Sequence, residues 1–179
     1  MNTEAMTKFL SRESISAHAE HLKNEQAKYR VLEKSIDGLN GKTISEISRI
    51  SLPREEKAEI MKANVYIQAH KCYFSSFTEE PKPSSLVRKY YGSEDNLCYE
   101  LFLLSREASQ DFILISLDGR GRLKVTTLSE CPYAPLYYDV RLALDLYEHS
   151  YFSDYGFNRD NYVRSALASL DLSRLDLSK

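Results

Sequence analysis

The sequence predicts an α+β fold: a long antiparallel α-hairpin, then an α/β domain carrying a three-stranded antiparallel sheet. Three observations predict it. Ile15, His18, Leu22, Glu25, Tyr29, Leu32 and Ile36 alternate spacings of three and four, and Ile60, Ala63, Ile67, His70, Phe74 and Phe77 do the same, the pattern of two helices packed along one seam. Glu-Glu-Pro-Lys-Pro-Ser-Ser at 79–85 then breaks helical pattern with two prolines, which sets a boundary between an N-terminal hairpin (1–80) and a C-terminal α/β domain (81–179). Beyond it the apolar period changes to two, in Leu123, Val125, Thr127 and again in Leu136, Tyr138, Val140, Leu142, Leu144, as in half-buried strands.

Residues 1–10 carry little pattern and read as a loose lead-in. The first seam ends at Asp37-Gly38, since glycine takes up the reversed backbone past a helix C-terminus at little cost. Thr43-Ile-Ser-Glu46 is a capping box opening a short helix, and Pro53 suits the first turn of the next, from Arg54 to Phe77. Ser85–Tyr91 and Ser93–Ser109 read as helices divided by Gly92, with Ser93 capping the second. Asp111–Leu117 is a short apolar run for a buried strand, and Asp118-Gly119 signals a hairpin into the strand at 123–127. The third strand follows at 136–144, then a helix carrying His149 and a last helix from Asn158.

In composition the chain is an ordinary globular protein of 179 residues, 42% hydrophobic and 28% charged. A net charge of −2 offers no basic field, so nucleic acid is not an expected partner. No apolar run is long enough for a membrane span. Cys72, Cys98 and Cys131 are odd in number and form no Cys-x-x-Cys motif, which points to a reducing, cytoplasmic setting.

Asp145-Leu-Tyr-Glu-His-Ser-Tyr-Phe-Ser-Asp-Tyr155, followed by Asn158-Arg159-Asp160-Asn161-Tyr162, resembles the C-terminal signature of iron/manganese superoxide dismutases, Asp-x-Trp-Glu-His-Ala-Tyr-Tyr-x-Asp-Tyr and then Asn-x-Arg-x-x-Tyr. On a helix, the spacing of Asp145 and His149 places carboxylate and imidazole one turn apart on one side. The resemblance makes both metal ligands and requires two more histidines on two upstream helices. His70-Lys-Cys-Tyr73-Phe74 resembles the family's His-x-x-Tyr-Trp and supplies one. For the other, the family has a ligand His followed eight residues later by a channel Tyr; His21 and Tyr29 keep that spacing. His18 sits on the helix seam, but no Tyr follows it at that distance. The expected ligand set is therefore His21, His70, Asp145 and His149, holding one Fe or Mn per subunit. The resemblance implies superoxide as substrate, disproportionated to dioxygen and hydrogen peroxide.

The resemblance also assigns surrounding roles. Glu148 bonds the ligand His of a partner subunit, which implies a homodimer. Phe152 takes the position of the channel's cross-subunit Tyr, and Glu25 that of a channel His. Phe74, Tyr147 and roughly Ile113 replace tryptophans. The family's outer-sphere Gln is missing: the iron-type position, four before the second-helix His, is Tyr66, and the loop 129–135, where manganese forms carry it, holds only Glu130 and Cys131 as polar candidates. Tyr66 either takes over that Gln's hydrogen bond, with Tyr29 as a second channel phenol, or fills vacated volume. Two alternatives accompany the enzyme: a non-catalytic dimeric interaction module on the same fold, and a metal enzyme with altered chemistry.

Overall fold

A computed structural model describes residues 3–177 of the chain. The first seam forms α1 (Arg12–Ser35), with the Ser11 side chain accepting from Ser14 N–H at its start. The capping box forms as expected: Thr43 and Glu46 satisfy each other's backbone N–H groups at the head of α2 (Ile44–Arg49). The second seam forms α3 (Arg54–Ser75), antiparallel to α1. Then come α4 (Ser85–Tyr91) and α5 (Glu94–Glu107), with Gly92 between them at φ +81°, a left-handed turn that favours glycine.

The sheet contains β1 (Phe112–Leu117), β2 (Leu123–Thr127) and β3 (Asp139–Asp145), antiparallel in the order β2-β1-β3. Central β1 is buried almost throughout, the burial pattern its unbroken apolar run demands. In the β1–β2 hairpin the left-handed residue is Gly121 (φ +71°) rather than Gly119. The Asp118 side chain organises that five-residue turn by accepting from Arg120 N–H and Arg122 N–H. After β3 come α7 (Glu148–Tyr155) and α8 (Arg159–Leu167); between β2 and β3 lies the short α6 (Ala134–Tyr137).

Two sequence expectations need correction. The lead-in is ordered from residue 3: a 3-10 turn at Ala5–Lys8 buries Ala5 and Met6, with Phe9 and Leu10 just beyond it. Four apolar residues at 5, 6, 9 and 10 are too short a run to establish a helical period, yet one turn suffices to bury them; Phe9 lies 4.8 Å from Phe77 and accepts from the Tyr155 hydroxyl through its carbonyl. The third strand starts at Asp139, not Leu136, because Pro135 starts the turn of α6 and places Leu136 against the α2–α3 cluster.

The main core draws on both sides of residue 80: Leu22, Tyr73 and Phe74 from the hairpin, Leu101, Phe112, Leu142 and Tyr162 from the rest. A second cluster, Leu39, Ile44, Ile47, Ile60, Met61 and Val65, closes the hairpin's far end. Asp171 N–H donates to the Ser76 carbonyl and Thr78 N–H to the Ser169 carbonyl, tying the C-terminal segment to the end of α3. No helix among the described residues is long and apolar enough to cross a membrane.

Candidate metal centre

Four side chains from four elements meet inside this core. His18 comes from the middle of α1 and His70 from the last turns of α3. Asp145 is the final residue of β3, and His149 lies in the first turn of α7. Asp145 and His149 thus reach each other across a strand end rather than along a helix, since α7 begins only at Glu148. The donor atoms of the four all lie within 4.8 Å of one another. Oδ2 of Asp145 stands 3.2 Å from His18 Nε2, 3.4 Å from His149 Nε2 and 3.6 Å from His70 Nε2; the Nε2 atoms of His70 and His149 are 3.2 Å apart.

Asp145 and His70 are each aimed by a bond on the far side of the side chain. Asp145 Oδ1 accepts from Tyr147 N–H at 2.9 Å, so only Oδ2 faces the histidines. The Asp145 carbonyl accepts from the Ser150 and Tyr162 hydroxyls at 3.1 and 2.8 Å, and Tyr162 is held in turn by Tyr73 at 3.1 Å. His70 Nδ1 lies 2.9 Å from the Tyr66 carbonyl. A carbonyl can only accept, so the proton sits on Nδ1 and Nε2 presents a lone pair.

This arrangement fits a divalent ion and little else. Asp145 and His18 are fully buried, and Asp145 Oδ2 and His18 Nε2 have no hydrogen-bond partner. A buried carboxylate facing only imidazoles carries a large desolvation cost without a compensating cation. Donor atoms about 2.1 Å from a common ion, at angles of about 90–120°, stand about 3.0–3.6 Å apart, which brackets the four separations above. Three imidazoles and one carboxylate suit first-row ions and leave room for another ligand.

The protonation states agree. Burial lowers the His70 pKa to about 4, so the ring is neutral at physiological pH. Burial would raise Asp145, but the His149 and His18 imidazoles close beside it prevail and hold it below the usual carboxylate range. For the metal-free protein this gives a signed expectation. Unfolded His70 protonates near 6.5 while the folded residue does so near 4, so the unfolded chain binds more protons in between. Stability conferred by neutral His70 is present above pH 6.5 and lost as pH falls to about 4, a change of about 3 kcal/mol. Urea unfolding of metal-free protein across that window checks it; a flat profile would contradict it.

His21, the ligand expected from α1, is not in this set; His18 stands in its place. Three residues on a helix turn the side chain by about 300° and advance it about 4.5 Å. The seam position therefore faces α3, and His21 falls on the flank. Its Nε2 lies 3.3 Å from the Tyr66 hydroxyl, while its ring stacks on His149 at 4.3 Å. Burial, then His149, lowers its pKa. Tyr29 is displaced by the same correction: eleven residues beyond His18, it lies about 16 Å further along α1, where its hydroxyl accepts from Asn64. Glu25 is likewise not four residues after the ligand; that position is Leu22, buried in the core. Glu25 pairs with Lys28 at 2.6 Å and borders a cleft of about 560 Å³ that reaches Tyr66 and Tyr147.

The other expected neighbours are at the site. Tyr66 packs edge-on to His70 at 4.3 Å, Tyr147 stacks on His149 at 5.5 Å, and Tyr73 and Phe74 lie 5.1 and 4.8 Å from His18. Phe112, which the sequence reading passed over for Ile113, lies 4.9 Å from His70. Side chains alternate along a strand, so a one-residue error in register puts the wrong one at the site. In the loop after the hairpin, Glu130 is occupied by Thr127 N–H. Glu148 and Phe152 lie on the exposed side of α7, and Glu148 has no partner within the described chain.

Residues 80–176 match the C-terminal domain of iron/manganese superoxide dismutases, and the chain belongs to that family. Among curated protein sequences, none matches. The α+β architecture is that of the family, and the buried His₃Asp cluster is a group of side chains that could hold a metal ion, as a superoxide-dismutase-like site would.

Proposed function

We propose that the chain holds one iron or manganese ion per subunit through His18, His70, Asp145 and His149 and disproportionates superoxide to dioxygen and hydrogen peroxide. The observation that carries this is the buried Oδ2 of Asp145, which faces three imidazole nitrogens and has no hydrogen bond. Bound there, iron or manganese supplies one-electron chemistry by alternating between two oxidation states. The chain's own residues aim the donors and deliver protons. The Tyr66 carbonyl fixes His70, and Tyr147 N–H, Ser150 and Tyr162 fix Asp145. Such bonds set ligand orientation and the redox potential of the site. Tyr66, held by His21, is the proton-bearing group at the site; its pKa is raised, first by burial and then by Asp145, so it remains a phenol.

Tyr66→Phe is expected to shift the reduction potential and slow turnover at equal metal content, because it removes that hydroxyl and leaves the packing. An unchanged potential and rate would reduce Tyr66 to a space-filling role. The test of the function as a whole is metal content and dismutation rate on one purified sample. Stoichiometric metal with a rate no better than the free ion would favour the non-catalytic reading, which the absence of an amide at Tyr66 and in the loop 129–135 supports. No metal after reconstitution with either ion would end the enzymatic reading.

A two-fold dimer and a reducing, cytoplasmic setting belong to the same proposal. The three cysteines are free thiols. His149 Nδ1 has no hydrogen bond within the described chain, exposed Glu148 has no partner, and Phe152 and Phe157 form an exposed aromatic pair beside them, Phe157 being 94% exposed. A ligating histidine needs an acceptor for its second N–H, and Glu148 of a second copy is a strong one. Glu148→Gln is expected to weaken dimerisation and lower metal affinity by about 10–100-fold, read by sedimentation velocity with metal analysis. A wild-type monomer retaining full metal would exclude the dimer.

A further inference from the structure

Away from the metal cluster, polar residues of α1 and α3 border a shared groove. Gln26, Tyr29, Arg30 and Glu33 occupy one face of α1 at i, i+3, i+4 and i+7. Asn64, Ile67, Gln68 and Lys71 repeat that spacing on α3, and the two faces border one groove closed on its third side by Lys42–Ile44. An antiparallel hairpin ordinarily closes such faces with apolar side chains. Here a hydrogen-bonded ladder takes their place: Gln68 donates to Asn64, and Asn64 donates to the Tyr29 hydroxyl at 3.0 Å. The groove encloses about 500 Å³, within the range of small-molecule sites.

Its chemistry is one-sided. Tyr29 accepts from Asn64, and its own proton meets no acceptor in the described chain. Arg30 and Lys71 form no ion pair or hydrogen bond there, and Lys42 is held only loosely by Glu46 at 3.4 Å. The one lining carboxylate, Glu33, accepts from Gly41 N–H at 2.9 Å. A chain of net charge −2 thus gathers three cations and a free phenolic donor around one concavity. Arginine beside lysine and hydroxyl donors is matched to a phosphate dianion. We propose that this groove binds a small phosphorylated metabolite, the phosphate monoester held between Arg30 and Lys71 with Tyr29 donating, and the polar body lying along Gln26 and Gln68. This is independent of the metal reading.

The test is calorimetric titration of the metal-loaded full chain, at constant ionic strength, with ribose 5-phosphate, inorganic phosphate and ribose. Ribose 5-phosphate is expected to bind saturably with Kd below about 1 mM, inorganic phosphate more weakly, and ribose not at all. Arg30→Gln/Lys71→Gln, both at exposed positions, should weaken binding at least tenfold, and Tyr29→Phe about threefold, while Lys124→Gln on β2 leaves it unchanged. Absence of saturable binding would overturn the proposal. So would equal affinity for inorganic phosphate and the ester, or affinity that survives the double substitution.

Discussion

His18→Ala is expected to abolish stoichiometric metal binding, while His21→Ala keeps it. The two side chains are three residues apart on one helix, yet their surroundings are opposite. His18 is fully buried, with Nε2 3.2 Å from the carboxylate oxygen that no other group satisfies. His21 is half-buried, with Nε2 turned to a phenol. Losing His18 leaves two imidazoles and a carboxylate around a buried cavity and removes the largest contribution α1 makes to the site. Because a metal bound only by the folded chain stabilises it, by about 2.7 kcal/mol at free metal about 100-fold above Kd, the His18→Ala protein should also lose the metal-dependent rise in Tm. His21→Ala should alter the site's potential through Tyr66 while retaining that rise. Plasma emission analysis and calorimetric melting of the two variants, prepared in parallel, check both; metal loss in His21→Ala alone would reverse the assignment.

Tyr162→Phe is expected to be the most damaging single-atom change outside the ligands. The Tyr162 hydroxyl sits in the fully buried core between the Asp145 carbonyl at 2.8 Å and the Tyr73 hydroxyl at 3.1 Å. Removing it leaves two buried polar groups without that partner, at about 1–3 kcal/mol for each group left unsatisfied, while ring packing against Tyr151 at 5.0 Å persists. The Ser150 hydroxyl still reaches the same carbonyl, so the cost is expected at about 2–3 kcal/mol rather than at the upper limit. Since the lost bond anchors the backbone that aims Oδ2, metal should also dissociate faster. Urea unfolding of the metal-free variant isolates the first effect, and chelator-driven release from the loaded variant measures the second. A variant as stable as wild type would mean the phenol pair contributes only packing.

The architecture was legible because each element carried its own local signal. Two seams at threes and fours, a capping box at Thr43–Glu46 and a glycine between α4 and α5 all correspond to observed features. What escaped were features whose cause lies elsewhere in the chain. The 3-10 turn at Ala5–Lys8 leads into Phe9, whose ring meets Phe77 and Tyr162 and whose carbonyl accepts from Tyr155, all remote in sequence. The candidate site was legible where a family motif carried it: Asp145, His149 and His70 are three of the four side chains that converge. It was misread on α1, where the eight-residue match from His21 to Tyr29 outweighed the seam. The seam held the physical information, since Ile15, His18 and Leu22 are buried in succession and a ligand to an interior ion must lie on the buried face. The His21–Tyr66 contact could not be read from sequence, because it depends on how far α1 slides along α3.

The most direct measurement is anomalous diffraction at the iron and manganese edges from crystals of the metal-loaded protein. One peak per chain is predicted, about 2.0–2.2 Å from Nε2 of His18, His70 and His149 and from Oδ2 of Asp145. A peak coordinated by His21 in place of His18, or loaded protein with no peak between these four side chains, would contradict it.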